Sequence, residues 1–308
     1  MRACKFILAL SVLAFIQKDT TAQGIDQDKL IRMRDSLDNL LIVNPTTSAI
    51  LVRKHEIEFY SFSSLLNNTK FNDKQGSSTN FDGKQILFNS TFQINYGISR
   101  NKRVNVGIDL NYRAYRYDAD EGSPSTSIFK SDAQNAGAFT YAGLRVRLQP
   151  FKRVYNFTYQ SNLWVPVASA ENQTALNASK VNWGNTFFYY KYFKNKIGLF
   201  TQANLTIALP GANSGADAKT EMYIPLNATV SYVANGKNIL FGSLSYSWIT
   251  TDISKTFEGG DSDFAQFGIG YQRVFTRNLS LMFNYNGTIM SRNYGSWNGL
   301  NVGIRYLY

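Results

Sequence analysis

A single histidine, His55, and a single cysteine, Cys4, limit the chemistry open to this 308-residue chain. Nucleophilic hydrolysis needs an imidazole beside the hydroxyl or water that it activates. Metal centres of the His/Cys type need several ligands at set spacings, and disulfides need a second cysteine. No metal ligand set, cofactor or catalytic group is therefore expected. Glu258-Gly259-Gly260-Asp261-Ser262-Asp263 offers only oxygen ligands, lacks the spacing of a calcium loop and reads as a solvated turn. No glycine-rich loop joins a strand to a helix, so nucleotide binding has no support. Triplets such as Asn89-Ser90-Thr91 and Asn227-Ala228-Thr229 follow from polar residues at alternate positions. What remains is a set of charges spaced two or four apart: Asp109 and Arg113, Arg145 and Arg147, Glu56 and Glu58, with Arg305 near the C-terminus.

These charges sit in segments of period two. Ile86, Phe88, Phe92, Ile94, Tyr96 and Ile98 alternate with Leu87, Asn89, Thr91, Gln93, Asn95 and Gly97. Val104, Val106, Ile108, Leu110 and Tyr112 alternate with Asn105, Gly107, Asp109, Asn111 and Arg113. Soluble strands run to about five or six residues, whereas a tilted strand crossing a membrane needs about 9–11. The same test places twelve strands near 55–66, 84–99, 103–118, 137–149, 153–167, 181–193, 196–209, 220–233, 238–250, 263–275, 278–290 and 297–308. Their connections alternate between short turns, such as Lys194-Asn195 and Thr276-Arg277, and long links at about 67–83, 119–136, 168–180, 210–219 and 251–262, with a shorter one at 291–296. The short turns are basic (Arg100, Lys102, Arg103, Lys152, Arg153, Lys194, Lys196, Lys237, Arg277), and the long links hold the acidic clusters. Trp164, Trp183, Trp248 and Trp297 all fall at the long-link ends of their strands. Pro225, inside the eighth strand, cannot donate to a ladder and marks a departure from the pattern.

If the apolar residues face outward, one inner wall receives Asn105, Asp109, Asn111, Arg113 and Tyr115 from the third strand. The fourth adds Phe139, Tyr141, Arg145 and Arg147, the fifth Asn156, Thr158, Gln160 and Asn162, and the seventh Gln202 and Asn204. The short connection predicts that Asp109 pairs across strands with Arg145. Glu58 or Glu56 is expected to meet Arg305 where first and last strands join.

The N-terminus reads differently. Arg2 and Lys5 precede an apolar run, Phe6–Ile16, and small residues at Thr20-Thr21-Ala22, the pattern of a signal peptide over residues 1–22. Eleven apolar residues are too few for a spanning helix. Losing Arg2, Lys5, Lys18 and Asp19 takes the net charge from +11 to +9. No basic stretch interleaves with stacking aromatics, so a nucleic-acid partner is not expected. Within residues 23–52, Leu30, Met33, Leu37 and Leu40/Leu41 fall on one face of a short helix, opposite Asp28, Lys29, Arg32, Arg34, Asp35 and Asp38. That helix lies either below the strands or inside them as a plug.

The last nine residues, Leu300-Asn301-Val302-Gly303-Ile304-Arg305-Tyr306-Leu307-Tyr308, end inside a strand on an aromatic. This segment resembles the C-terminal assembly signal of Gram-negative outer-membrane β-barrels. With the alternation and the loop asymmetry, the resemblance covers the signal and nearly all of residues 55–308, within a barrel domain placed at 53–308. It implies an all-β fold, one antiparallel transmembrane barrel of about twelve strands with a short N-terminal α-helix, integral to the outer membrane with both termini periplasmic. It further implies that the barrel-assembly machinery reads Tyr306 and Tyr308, and that lipid surrounds the barrel. Outer-membrane phospholipases and omptin-type proteases set a histidine towards the outer surface; His55 is at the other end, so no enzyme is expected. Autotransporter translocators share twelve strands and a lumenal helix but follow a long passenger; here the signal abuts the helix. The leading expectation is a passive porin-like channel or small-solute transporter, its lumen lined by Asp109, Arg113, Tyr141, Arg145, Arg147 and Gln160. Unpaired Arg113 and Arg147 would favour a small polar or anionic solute. The alternative is a plugged, non-conducting barrel acting as a structural or accessory part of a surface or secretion complex.

Overall fold

A computed structural model of the protein describes residues 51–119, 124–129, 135–151, 154, 156–193, 196–215, 218–253 and 261–308. The signal peptide and the helix expected before residue 45 lie outside these residues. Twelve strands form one closed antiparallel barrel in sequence order, with β1 paired to β12. They are β1 (Ile57–Asn72), β2 (Ser78–Gly97), β3 (Val104–Ala119), β4 (Asn135–Leu148), β5 (Phe157–Pro166), β6 (Val181–Phe193), β7 (Ile197–Leu209), β8 (Glu221–Val233), β9 (Asn238–Thr250), β10 (Ser262–Thr276), β11 (Leu279–Arg292) and β12 (Tyr294–Leu307). Closure removes every sheet edge, the only way a sheet can satisfy its backbone without water.

The alternation does what the pattern requires. Ile94, Ile108, Leu144, Leu163, Val230, Leu244, Ile269 and Leu300 are exposed on the outside, while Gln93, Asp109, Arg145, Asn162, Thr229 and Asn301, odd to their even or even to their odd, are buried within. The seam closes on the terminal aromatics. Ile57 and Tyr308 exchange both backbone hydrogen bonds, at 2.9 and 2.8 Å, and Phe59 pairs with Tyr306. Both tyrosines of this segment are exposed on the outer face.

Four local departures from the expected strands and ladders stand out. The first hairpin extends well past its expected end: β1 and β2 pair as far as Asn72 and Ser78, across a bulge at Asn68/Lys70. The link from β11 to β12 similarly shrinks to Asn293, which adopts the left-handed conformation (φ 49°) that asparagine tolerates. Between β3 and β4 a bulge sets Asn111 opposite Tyr141 but Tyr112 opposite Phe139. Thr140 is the extra residue, buried with its hydroxyl 2.6 Å from Asn111 Oδ1. The bulge reverses parity beyond it, so Phe139, expected inside, is exposed on the outer face against Tyr112, ring centroids 5.3 Å apart. At Pro225 the ladder to β7 skips from Ala203↔Leu226 to Thr206↔Tyr223, whereas the ladder to β9 is continuous. The missing N–H interrupts one side only.

A short 3-10 helix, Ser125–Phe129, lies in the link between β3 and β4. The one α-helix among the described residues, α1 (Ala170–Ala175), lies between β5 and β6 and is not N-terminal.

Candidate functional site: a lumen with two unlike walls

The inner wall differs from one half of its circumference to the other, most sharply in the half of the barrel nearest the short turns. From β12 through β5 it is ionic. Arg305 Nε donates to Glu58 Oε1 at 2.6 Å. Glu58 Oε2 accepts from Asn95 Nδ2 at 3.1 Å and lies 3.7 Å from Arg147 Nη1. Arg147 donates through Nε and Nη2 to Gln160 Oε1, at 3.1 and 2.9 Å. Arg145 Nη2 is 2.6 Å from Asp109 Oδ1, and its Nη1 donates to Gln93 Oε1 at 2.8 Å. Trp164 Nε1 donates to the other Asp109 oxygen at 2.9 Å. The side chains of Glu58, Asp109, Arg145 and Arg147 are 0–1% exposed. Charges so fully withdrawn from water persist only when paired and hydrogen-bonded, as these are.

This arrangement follows from register. Arg145 faces Gly107 and Asp109 faces Gly143, one diagonal step apart, within reach of a long side chain. Tyr60 faces Arg305 directly, so Glu58 reaches Arg305 along the other diagonal. Glu56 takes no part in the seam: it lies 3.9 Å from Arg53, near the surface. Arg147, expected to be unpaired, is instead paired with Glu58 and hydrogen-bonded to Gln160.

The wall formed by β6–β11 and completed by β1 carries buried aromatic and apolar clusters at the same level, interleaved with the buried polar side chains of Thr229, Ser231, Gln272 and Ser280. Phe188, Tyr190 and Phe200 form one buried cluster. Tyr60, Phe62, Val233, Ile239, Phe241, Val274 and Met282 form another. All belong to inward positions, since their neighbours Phe187, Leu240, Phe275 and Phe283 are exposed outside. The sequence signal was there: Phe187-Phe188-Tyr189-Tyr190, Ile239-Leu240-Phe241 and Leu281-Met282-Phe283 are unbroken apolar runs, which mark strands buried on both faces.

The long-link end carries a constriction. The link 167–180 folds inward, so that Leu176 and Ala178 are buried against inward Tyr141, with Tyr115, Ala136, Ala138 and Trp164 alongside. Ser169 caps α1, accepting from Asn172 N. The next link holds it there: Asn213 Nδ2 donates to Gln173 Oε1 at 3.1 Å and Ser214 Oγ to the Ser179 carbonyl at 3.0 Å. A Cβ on Gly211 would stand 2.2 Å from that carbonyl, so the approach requires glycine. Lys180 Nζ lies 2.7 Å from Glu221 Oε1. From the wall, Arg113 Nη1 donates to the Leu176 carbonyl at 2.8 Å. Among the described residues no carboxylate lies within 4 Å of Arg113, and its Nε is buried without an acceptor. Trp297 also faces inward, its ring 6.5 Å from that of Tyr115.

At the opposite end the chain enters the barrel from within. Leu51 and Val52 are buried. With its amide turned to suit them, Asn105 accepts from Val52 N at 2.9 Å and donates to the Val52 carbonyl at 3.3 Å. The path crosses Gly97 so closely that a Cβ there would meet the Arg53 carbonyl oxygen at 1.8 Å. His55, exposed at the start of the wall, has Nδ1 2.7 Å from Tyr96 Oη.

No family model and no curated protein matches the sequence. Among solved structures, an outer membrane channel from Pseudomonas putida F1 aligns over 86% of this chain and 99% of its own, with TM-score 0.65 and 10% identity. The fold is that of an outer-membrane β-barrel. The NanC porin, over 80% of this chain and 98% of its own at 7% identity, is much looser, with TM-score 0.45. The β domain of the Bordetella autotransporter BrkA, over 83% and 100% at 10% identity, has the same score. At these identities the likeness concerns architecture alone, and the lumen must be read from its own residues.

Proposed function

We propose that the protein is a passive outer-membrane channel for small polar or anionic solutes, not an enzyme, with the short turns and both termini in the periplasm. On this reading lipid covers the outer apolar belt, and the assembly machinery reads Tyr306 and Tyr308. Arg113 carries the proposal. The inward cations Arg145, Arg147 and Arg305 each meet a carboxylate, whereas Arg113 stands in the long-link mouth with, among the described residues, only the Leu176 and Asn177 carbonyls to hold it. An uncompensated guanidinium at a constriction favours entry of anions over cations. Paired Arg147 contributes nothing to this preference.

Planar-bilayer recordings of the purified protein under a salt gradient test the reading. The expected result is a small, anion-preferring current, larger without residues 24–44, whose preference falls or reverses in Arg113→Gln. The second reading, a plugged barrel serving as an accessory component, is favoured by the chain at Leu51 and Val52 entering the lumen and by the infolded link. Current only from the truncated form establishes a plug; no current from either form ends the channel reading.

A further inference from the structure

Nearer the long links, beyond the sealed ionic and apolar clusters, the lumen changes character again. Six inward side chains from five adjacent strands stay half-buried there: Asn204 on β7, Asn227 on β8, Ser243 and Ser245 on β9, Gln266 on β10 and Asn286 on β11. Register sets them in rows. Asn227 faces Ser245, and Ser245 faces Gln266. One step towards the short turns, Gly268 stands between Ser243 and Asn286. A Cβ on Gly268 would lie 2.4 Å from Ser243 Oγ and 2.6 Å from Asn286 Oδ1, so glycine lets both side chains lie over its backbone. The inward residues of β7, β9 and β10, of β11 as far as Thr288 and of β8 after Glu221 carry no charge.

These neutral groups retain hydrogen-bonding capacity. Asn204 Oδ1 accepts from Thr206 Oγ1 at 3.0 Å, Asn227 Oδ1 from Thr229 Oγ1 at 3.0 Å, and Asn286 Oδ1 from Asn284 Nδ2 at 2.9 Å. Each amide thus engages its oxygen along its own strand, and among the described residues its Nδ2 has no acceptor. Gln266 Nε2 donates to the Trp297 carbonyl at 3.2 Å, which sets Trp297, inward beside Tyr115, at the edge of the patch.

We propose that this patch binds a neutral saccharide. A small anion gathers at guanidinium or ammonium groups, and the patch has none. An apolar solute would leave three amide donors unpaired. A sugar's hydroxyls both donate and accept, as the amide and serine groups of neighbouring strands require, and its C–H face suits the electron-rich face of an indole. Five strands at ~4.8 Å spacing make the patch about 19 Å wide, room for about three pyranose rings. The inference names the polar solute of the channel reading and rests on that reading for delivery, but binding itself needs no current.

The test titrates the purified full chain, in a detergent without sugar head groups, with maltotriose, cellotriose and triacetylchitotriose, followed by tryptophan fluorescence and calorimetry. At least one should bind saturably, about tenfold or more tighter than glutamate, benzoate or phosphate, with an affinity that salt leaves unchanged. Asn227→Leu combined with Asn286→Leu should weaken it by about tenfold or more, since apolar groups replace two donors. Should that variant fail to fold, a diazirine derivative of the bound sugar locates the site in the wild-type chain, where it should label peptides carrying Asn227, Ser245, Gln266 or Asn286. Binding of none of the three, binding that fades with salt and is lost in Arg113→Gln, or labels outside β7–β12 overturn the site. Sugar binding without any current would keep the site and end the channel reading; an anion-preferring current without sugar binding would do the reverse.

Discussion

The ionic and apolar walls of the lumen bury their inward side chains by opposite means. On the ionic side each buried group depends on particular partners: Glu58 serves Arg305, Arg147 and Asn95, and Asp109 serves Arg145 and Trp164. On the apolar side any well-packed hydrophobic neighbour suffices. The ionic wall therefore fixes register between six strands, including the seam, but tolerates no change of charge.

That contrast is broken most severely at Glu58. Glu58→Ala leaves Arg147 and Arg305 sharing a buried space without their carboxylate, a loss of about 3–5 kcal/mol for an orphaned buried charge. The midpoint of urea unfolding of the vesicle-inserted barrel, followed by heat-modifiable gel mobility, should fall accordingly. A Glu58→Ala barrel as stable as wild type would mean that the ionic wall is solvated in the membrane.

On the apolar wall, Met282→Ala should cost about 2–3 kcal/mol, the range for a truncated core side chain whose surroundings partly relax. The two substitutions sharpen the comparison when combined. If the walls are independent, their effects add to within about 0.5 kcal/mol; coupling beyond that would show that the two walls share packing or hydrogen-bond partners.

The ionic wall was legible from sequence and the apolar wall was not read, although both signals were there. Asp109 and Arg145 could be matched because a short turn fixes the register between β3 and β4 from that end. The same counting fails past Thr140, because a bulge is a single extra residue whose position depends on the partner strand, and Phe139 consequently faces out. Arg113 could be placed inside but not its acceptor, since the Leu176 carbonyl reaches it only through the conformation of a long link. The aromatic wall leaves no such mark, because alternation reveals an inner face through its polar residues and a run such as Phe187–Tyr190 is aromatic on both faces.

The smallest expected effect is the most discriminating test of how position alone sets the worth of a charge. Glu56 and Glu58 are the same residue type two places apart, next to the same seam, each beside an arginine. Glu58 is sealed inside, with Arg305 at 2.6 Å. Glu56, where the chain turns into β1, accepts from Arg53 N at 2.8 Å and meets the Arg53 guanidinium at 3.9 Å, with the side chains of Arg53 and Glu56 43% and 30% exposed. An ion pair that open to water contributes from nothing to about 0.5 kcal/mol, and salt screens it further. Glu56→Ala should therefore lower the unfolding midpoint barely or not at all, and raising the salt should erase what difference there is, while the Glu58→Ala loss should survive the same salt. Equal losses at the two positions would show that the Glu56 loop, with its bond to the Arg53 amide, is itself part of what seals the lumen.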